Sequence, residues 1–135
     1  MSPGFLILKG RSAGVEASTG SLGQGLSIGV GVALATRLDG FDSRTYVLLG
    51  DGEIEEGQVW EAAMSGHKYN LDNLVAIVDQ NGQQQTGATA EVMDMKPLGP
   101  RWEAFGWSAQ EIDGHDLKAV LGAFDKAAQT KGKPS

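Results

Sequence analysis

The chain contains no cysteine. That excludes a disulfide framework and any thiolate metal site, and it is the usage expected of a protein kept in a reducing cytoplasm. Long apolar runs are missing too. The N-terminal run Phe5-Leu6-Ile7-Leu8 is too short for a signal-peptide core or a membrane span, so no membrane partner is expected. Basic residues are scarce, 11 against 17 acidic ones, for a net charge of −6. No basic patch is available to neutralise a nucleic-acid backbone, so that partner is not expected. An anionic ligand would need a metal ion or helix N-termini to be held. There is no internal repeat and no low-complexity tract.

What is present fits one domain with a real core: 135 residues, 41% of them apolar. Glycine is plentiful at 20 residues, which implies backbone positions needing positive φ or close approach. The segment from Thr19 to Gly25 is rich in Gly and Ser and reads as a loop. Leu26, Ile28, Val30, Val32, Leu34 and Leu38 then predict a helix over 23–38. Its glycines lower helix propensity, so burial on several sides, as at a subunit interface, is expected. Thr45–Leu49 and Leu74–Val78 are apolar without alternation and predict parallel strands covered on both faces. A helix opening at Glu53 and running to about Tyr69 is expected between them, with Glu53, Glu55 and Glu56 at the positive end of its dipole. Residues 80–90 read as a polar loop, 101–105 as a short helix, and 107–112 as a third strand. A last helix is expected over 117–129, capped by Asp116, with Leu117, Val120, Leu121 and Phe124 as its apolar stripe. A further strand would be expected after it. Residues 1–13 stay unassigned, with Phe5–Leu8 a possible strand.

Two stretches carry chemistry. Gly50-Asp51-Gly52 follows the first strand, and Asp79-Gln80-Asn81 follows the second. A strand–helix–strand unit is right-handed and brings neighbouring strands side by side, so both carboxyl ends can reach one ion. An Asp and an Asn, with a loop carbonyl, are the oxygen donors that hold magnesium at about 2.0–2.1 Å while leaving positions for phosphate oxygens and water. Alone, an Asp-Gly pair after a strand is most often only a turn. The paired Asn81 one strand later is what shifts the balance.

The segments Glu16-Ala-Ser-Thr-Gly-Ser-Leu-Gly-Gln-Gly25, Gly50-Asp-Gly-Glu-Ile-Glu-Glu-Gly-Gln-Val-Trp-Glu-Ala-Ala-Met64 and Leu71-Asp-Asn-Leu-Val-Ala-Ile-Val-Asp-Gln-Asn81 resemble transketolase. The likeness is strongest to the N-terminal subunit of the split-gene bacterial form, over about 14–134. It implies an α/β fold with a parallel sheet and helices on both faces, here a diphosphate-binding domain over 14–135 truncated at both ends. It implies thiamine diphosphate as cofactor, with magnesium or calcium, and two-carbon ketol transfer between sugar phosphates. Asp51 and Asn81 would ligate the metal through their side chains and Gln83 through its carbonyl. Gly50, Gly52 and Glu53 would line the diphosphate, Gly52 through its N–H. Gly20 and Leu22 would touch the aminopyrimidine ring. Asp79 would orient Asn81. Glu56 and Glu61 would belong to a carboxylate network linking two cofactor sites across a dimer, so the resemblance implies a homo-oligomer or a partner subunit carrying the pyrimidine-binding domain. The family usually has apolar residues where this loop has Gln83 and Gln85. Its histidine before a proline is not found in residues 1–13, and its downstream substrate-binding histidine and its pyrimidine-binding domain are not in the sequence.

Blander readings stand beside these. Glu53, Glu55 and Glu56 could be a solvated helix start, and Glu61 an exposed helical residue. His67 reads as structural and His115 as a turn or capping residue. Trp60, Trp102 and Trp107 read as core or interface anchors. Two other functions remain open: a cofactor-binding module that turns nothing over without its partner subunit, and a dinucleotide-binding domain suggested by Gly23-x-Gly25-x-x-x-Gly29. The latter has the wrong spacing and no clear strand before it.

Overall fold

The computed structural model describes residues 14–135. The possible strand at Phe5–Leu8 lies outside the described residues. In chain order the elements are α1 (Gln24–Leu38), β1 (Thr45–Gly50), a 3-10 turn (Glu53–Glu55), α2 (Gly57–Lys68), β2 (Leu74–Asp79), β3 (Gln83–Gln84), β4 (Gly87–Ala88), α3 (Thr89–Val92), α4 (Leu98–Ala104) and α5 (Leu117–Gln129).

β1 and β2 pair in parallel, with Thr45 opposite Leu74 and Gly50 opposite Asp79. The register leaves both carboxyl ends flush, as the strand–helix–strand reading requires. α1 lies on the sheet face that carries Val47. A Cβ on Gly29 would collide with Val47 Cγ2, so only glycine lets the helix sit this close. Leu26, Val30 and Ala33 of α1 join Val47, Leu49, Ile54, Val59, Ala63 and Leu74 in the core. Arg37, in the last turn of α1, donates to the carbonyls of Tyr69 and Asn70, each at 2.8 Å, and ties the end of α1 to the exit of α2.

Several expectations change. Glu53 does not open one long helix. The chain makes a 3-10 turn, passes through an extended Glu56 (φ −67°, ψ 127°), and only then enters α2. Ile54 is fully buried and its carbonyl accepts from Trp60 Nε1 at 2.8 Å, so the turn is fixed by packing rather than by helix propensity. Among the described residues of this one chain, α1 is buried along one side; Ile28 and Val32 are exposed on the other, the side left for the expected subunit contact. β1 is not covered on both faces among the described residues: Tyr46 is 49% and Leu48 47% exposed. On that face Tyr46 meets Phe124 of α5 edge-on, while Leu117 and Leu121 of the expected α5 stripe stay exposed. His67 is exposed, not on the packed face of α2, which carries Val59, Ala62, Ala63 and Gly66.

The third strand expected over 107–112 does not form a ladder with β1 or β2. Pro134 and Ser135 stand in the way. Ala76 N donates to Ser135 O at 2.8 Å and Ser135 N to Leu74 O at 3.2 Å, which is a parallel pairing with β2. Ser108 N donates to Pro134 O at 2.8 Å on the opposite edge. Residues 107–112 are thus one row further from β2 than a sequential reading places them. Between this row and β2 opens a cleft of about 720 Å³, lined in part by Ile77, Trp102, Trp107 and Phe124.

Candidate functional site

Asp51 follows the last residue of β1. Its N–H donates to Asp79 O at 3.2 Å and adds one rung to the ladder, which holds the residue at the sheet's carboxyl edge. The side chain is buried, with 5% exposure for the residue. Oδ1 accepts from Gly52 N at 3.0 Å, and Oδ2 accepts from Gly82 N at 2.8 Å and from Thr89 Oγ1 at 3.5 Å. These partners are uncharged. Buried carboxylates are ordinarily paired with a cation or coordinate a metal, and among the described residues the ion pair found is the remote Arg37–Asp72.

Asn81, two residues past β2, is exposed. Its Nδ2 donates to Asp79 Oδ2 at 3.0 Å, and its Oδ1 accepts from Gln83 N at 2.9 Å. Asp79 thus orients the carboxamide. Gly82, at φ +75°, turns the chain so that its N–H meets Asp51. Glycine takes that backbone region without strain. The Gly82–Asp51 bond joins the loop carrying Asn81 and Gln83 to the end of β1. One carboxylate, one carboxamide and main-chain carbonyls are hard oxygen donors, which suit magnesium or calcium. Among the described residues no three His, Cys, Asp or Glu side chains converge as a metal set. The donor chemistry therefore fits an ion completed by ligand phosphate and water.

Gly52 has an ordinary helical φ of −71°. Its need is space: a Cβ there would lie 2.8 Å from Gln84 Cβ. Glu53 is half-buried, and its carboxylate accepts from Gly23 N at 3.0 Å and Gly50 N at 3.1 Å. Gly20 and Leu22 lie exposed in the loop that leads to Gly23. Glu56 and Glu61 are exposed at the start and middle of α2. Among the described residues neither carboxylate makes a hydrogen bond, and nothing within the chain joins them. The structure therefore gathers Gly50, Asp51, Gly52, Glu53, Asn81 and Gln83 at one sheet edge, brings the Gly20–Leu22 loop to its side, and leaves Glu56 and Glu61 on the surface.

Gly82 and Thr89 were not singled out from sequence. Asn81-Gly82 is a turn signal that could have flagged the first. Thr89 carries no local signal; it reaches Asp51 because β3 and β4 fold the loop back, with Gln83 opposite Ala88.

The family model described as the thiamine diphosphate binding domain of transketolase matches residues 3–135. The chain belongs to the transketolase family. It is 49% identical over 121 residues to an apulose-4-phosphate transketolase subunit of Phocaeicola vulgatus, covering 90% of this chain and 43% of that protein. It is 46% identical over 125 residues to the 6-deoxy-6-sulfo-D-fructose transketolase subunit SqwG of a Clostridium species, covering 93% and 46%. Among solved structures, the transketolase of Campylobacter jejuni superposes with a TM-score of 0.81 at 34% identity, covering 90% of this chain and 20% of that one. A Pichia stipitis transketolase in complex with sedoheptulose-7-phosphate gives 0.83 at 36% identity, with the same coverage. The chain thus spans less than half the length of the curated relatives it matches. The parallel strands and their flanking helices are those of the transketolase thiamine diphosphate-binding fold. In it, Gly25 and Gly29 lie inside α1, and Gly29 abuts β1. They serve packing there, which leaves the dinucleotide reading without its phosphate loop.

Proposed function

We propose that this chain provides the diphosphate- and metal-holding part of a thiamine diphosphate-dependent ketol transferase that moves a two-carbon unit between ketose and aldose sugar phosphates. The observation that carries this reading is Asp51: a buried carboxylate with no cationic partner among the described residues, tied to the main chain beside Asn81. In this reading Asp51, Asn81 and the Gln83 carbonyl hold magnesium, or calcium in its place. Gly52, whose N–H here donates to Asp51 Oδ1 at 3.0 Å, would turn it to the diphosphate once Asp51 takes the ion, and Gly20 and Leu22 would support the pyrimidine end. The cofactor, when bound, supplies an electron sink for the transferred unit. The chain's own part is to bind, orient and exclude water. In this reading Glu56, just before α2, and Glu61 on it, both exposed, would meet carboxylates of a second subunit.

A second reading is favoured by the relatives that are named as transketolase subunits. The module holds the cofactor and turns over only with a partner that carries the pyrimidine-binding domain. General acid–base help from such a partner is worth roughly 10²–10⁴-fold in rate. Calorimetric titration of thiamine diphosphate with magnesium separates the questions. Asp51→Ala and Asn81→Ala should each weaken binding by at least about 10-fold, the weight of a lost hydrogen bond or ligand contact to a charged group. Unchanged affinity in both would remove the site. Ketol transfer that appears only on adding a pyrimidine-domain chain would select the second reading.

A further inference from the structure

We infer that Glu53 is a positioning residue whose single carboxylate clamps the Gly20–Gly23 loop to the carboxyl end of β1, fixing the separation between the pyrimidine and diphosphate ends of the cofactor seat. The inference rests on the thiamine diphosphate reading of that seat.

A carboxylate presents two oxygens, and here each takes one main-chain N–H from a different segment. Oε1 accepts from Gly23 at 3.0 Å, thirty residues away, and Oε2 from Gly50 at 3.1 Å. Gly50 immediately precedes Asp51, and Gly23 immediately follows the loop with Gly20 and Leu22. The two anchored groups are therefore the last links before the two ends of the seat. Gly23 is suited to this approach. It sits at φ +83°, and a Cβ there would lie 3.1 Å from Glu56 Cβ. Helix α1, which starts at the next residue, has no side-chain cap from its own N-cap position. The group that engages this terminus comes instead from the turn after β1.

The clamp is separable from the fold. The seam between α1 and α2 is braced independently by Gln24 Nε2 on Gln58 Oε1 at 2.8 Å and by Gln58 Nε2 on Ser27 Oγ at 3.1 Å. Losing the Glu53 bonds leaves those contacts and the Gly29–Val47 packing in place. With one main-chain N–H on each oxygen, the carboxylate's role inferred here is to hold the main chain rather than to contact the cofactor.

The chemistry specifies the test. A glutamine at this position keeps the shape but offers one acceptor and one NH₂ donor, so it can satisfy Gly23 or Gly50 but not both. In the 135-residue chain, amide exchange at Gly23 and Gly50 should be slow before any substitution is made; a freely exchanging Gly23 amide overturns the proposal outright. In Glu53→Gln, exchange at one of the two should rise about 10-fold, the weight of a hydrogen bond to a charged group. Affinity for thiamine diphosphate with magnesium should fall by a similar factor, while the far-ultraviolet spectrum stays that of the parent. Glu91→Gln, at an exposed position of α3, controls for the lost charge and should change neither. Lost affinity with both amides still protected would mean direct contact by Glu53 and would overturn the positioning role. If Asp51→Ala binds the cofactor as the parent does, the seat itself is misassigned, and the exchange data still decide the clamp.

Discussion

At the scale of single residues, the site depends on what is absent at position 52 as much as on the carboxylate beside it. Gly52 is not required by φ. It is required by space: Gln84 packs over it and leaves no room for a methyl group. A Gly52→Ala chain must displace Gln84 or shift the turn that carries Glu53. Overpacking of this kind costs about 1–3 kcal/mol. The expected outcome is a lower melting temperature, checked by calorimetry, with a concurrent loss of cofactor affinity because Asp51 and Glu53 flank the displaced unit. The residues here were unevenly legible. Asp51, Gly52 and Asn81 could be read from position, since each ends an apolar strand. Gly82 and Thr89 could not, because their tie to Asp51 exists only after the intervening loop folds back. The clamp by Glu53 was equally hidden: a carboxylate early in a helix-like stretch looks like dipole compensation until a partner thirty residues away is seen to take it.

At the scale of elements, local periodicity was sufficient where the element packs by its own pattern. α1, β1, β2 and α5 begin and end within about a residue of their expected bounds. It failed where a distant contact decides. The Glu53–Tyr69 stretch reads as one helix, yet burial of Ile54 and the Trp60 bond to its carbonyl break it at Glu56. The hairpin of β3 and β4 is too short and too polar to leave a hydrophobic signature. The third strand was misplaced because sequence cannot show that residues 134–135 enter the sheet first. α5 offers a prediction of its own. Asp116 caps it, accepting from Lys118 N at 2.9 Å and Ala119 N at 3.3 Å. Asp116→Ala should lose about 1 kcal/mol. Because Leu117 and Leu121 are exposed, most of that loss should appear as faster amide exchange in α5 alone, with β1 and β2 unaffected. Equal loss of protection throughout would mean α5 is integral to the core.

At the scale of the whole molecule, two apolar faces lie open among the described residues. One is the outer side of α1, with Ile28 and Val32. The other is the sheet face with Tyr46 and Leu48. The N-terminal end of α1, at Gly23, meets Glu56 at the start of α2. A second subunit seated on α1 would therefore reach the proposed carboxylate network and cover the helix in one contact. Sedimentation at high concentration should show association, and the double change Ile28→Asp, Val32→Asp should return the chain to a monomer without altering its melting temperature by more than a few degrees. A parent chain that stays monomeric alone and beside a pyrimidine-domain chain would count against that surface.

The protein's three tryptophans form one cluster: Trp60 and Trp102 are 5.2 Å apart between ring centroids, Trp102 and Trp107 5.0 Å. Trp60 is also wired to the turn behind Asp51 through the Ile54 carbonyl. Indole fluorescence consequently arises from a single spot, and that spot leans on the turn behind the proposed ion seat. Any rearrangement at the carboxylate has a built-in lamp to report it, with no dye attached.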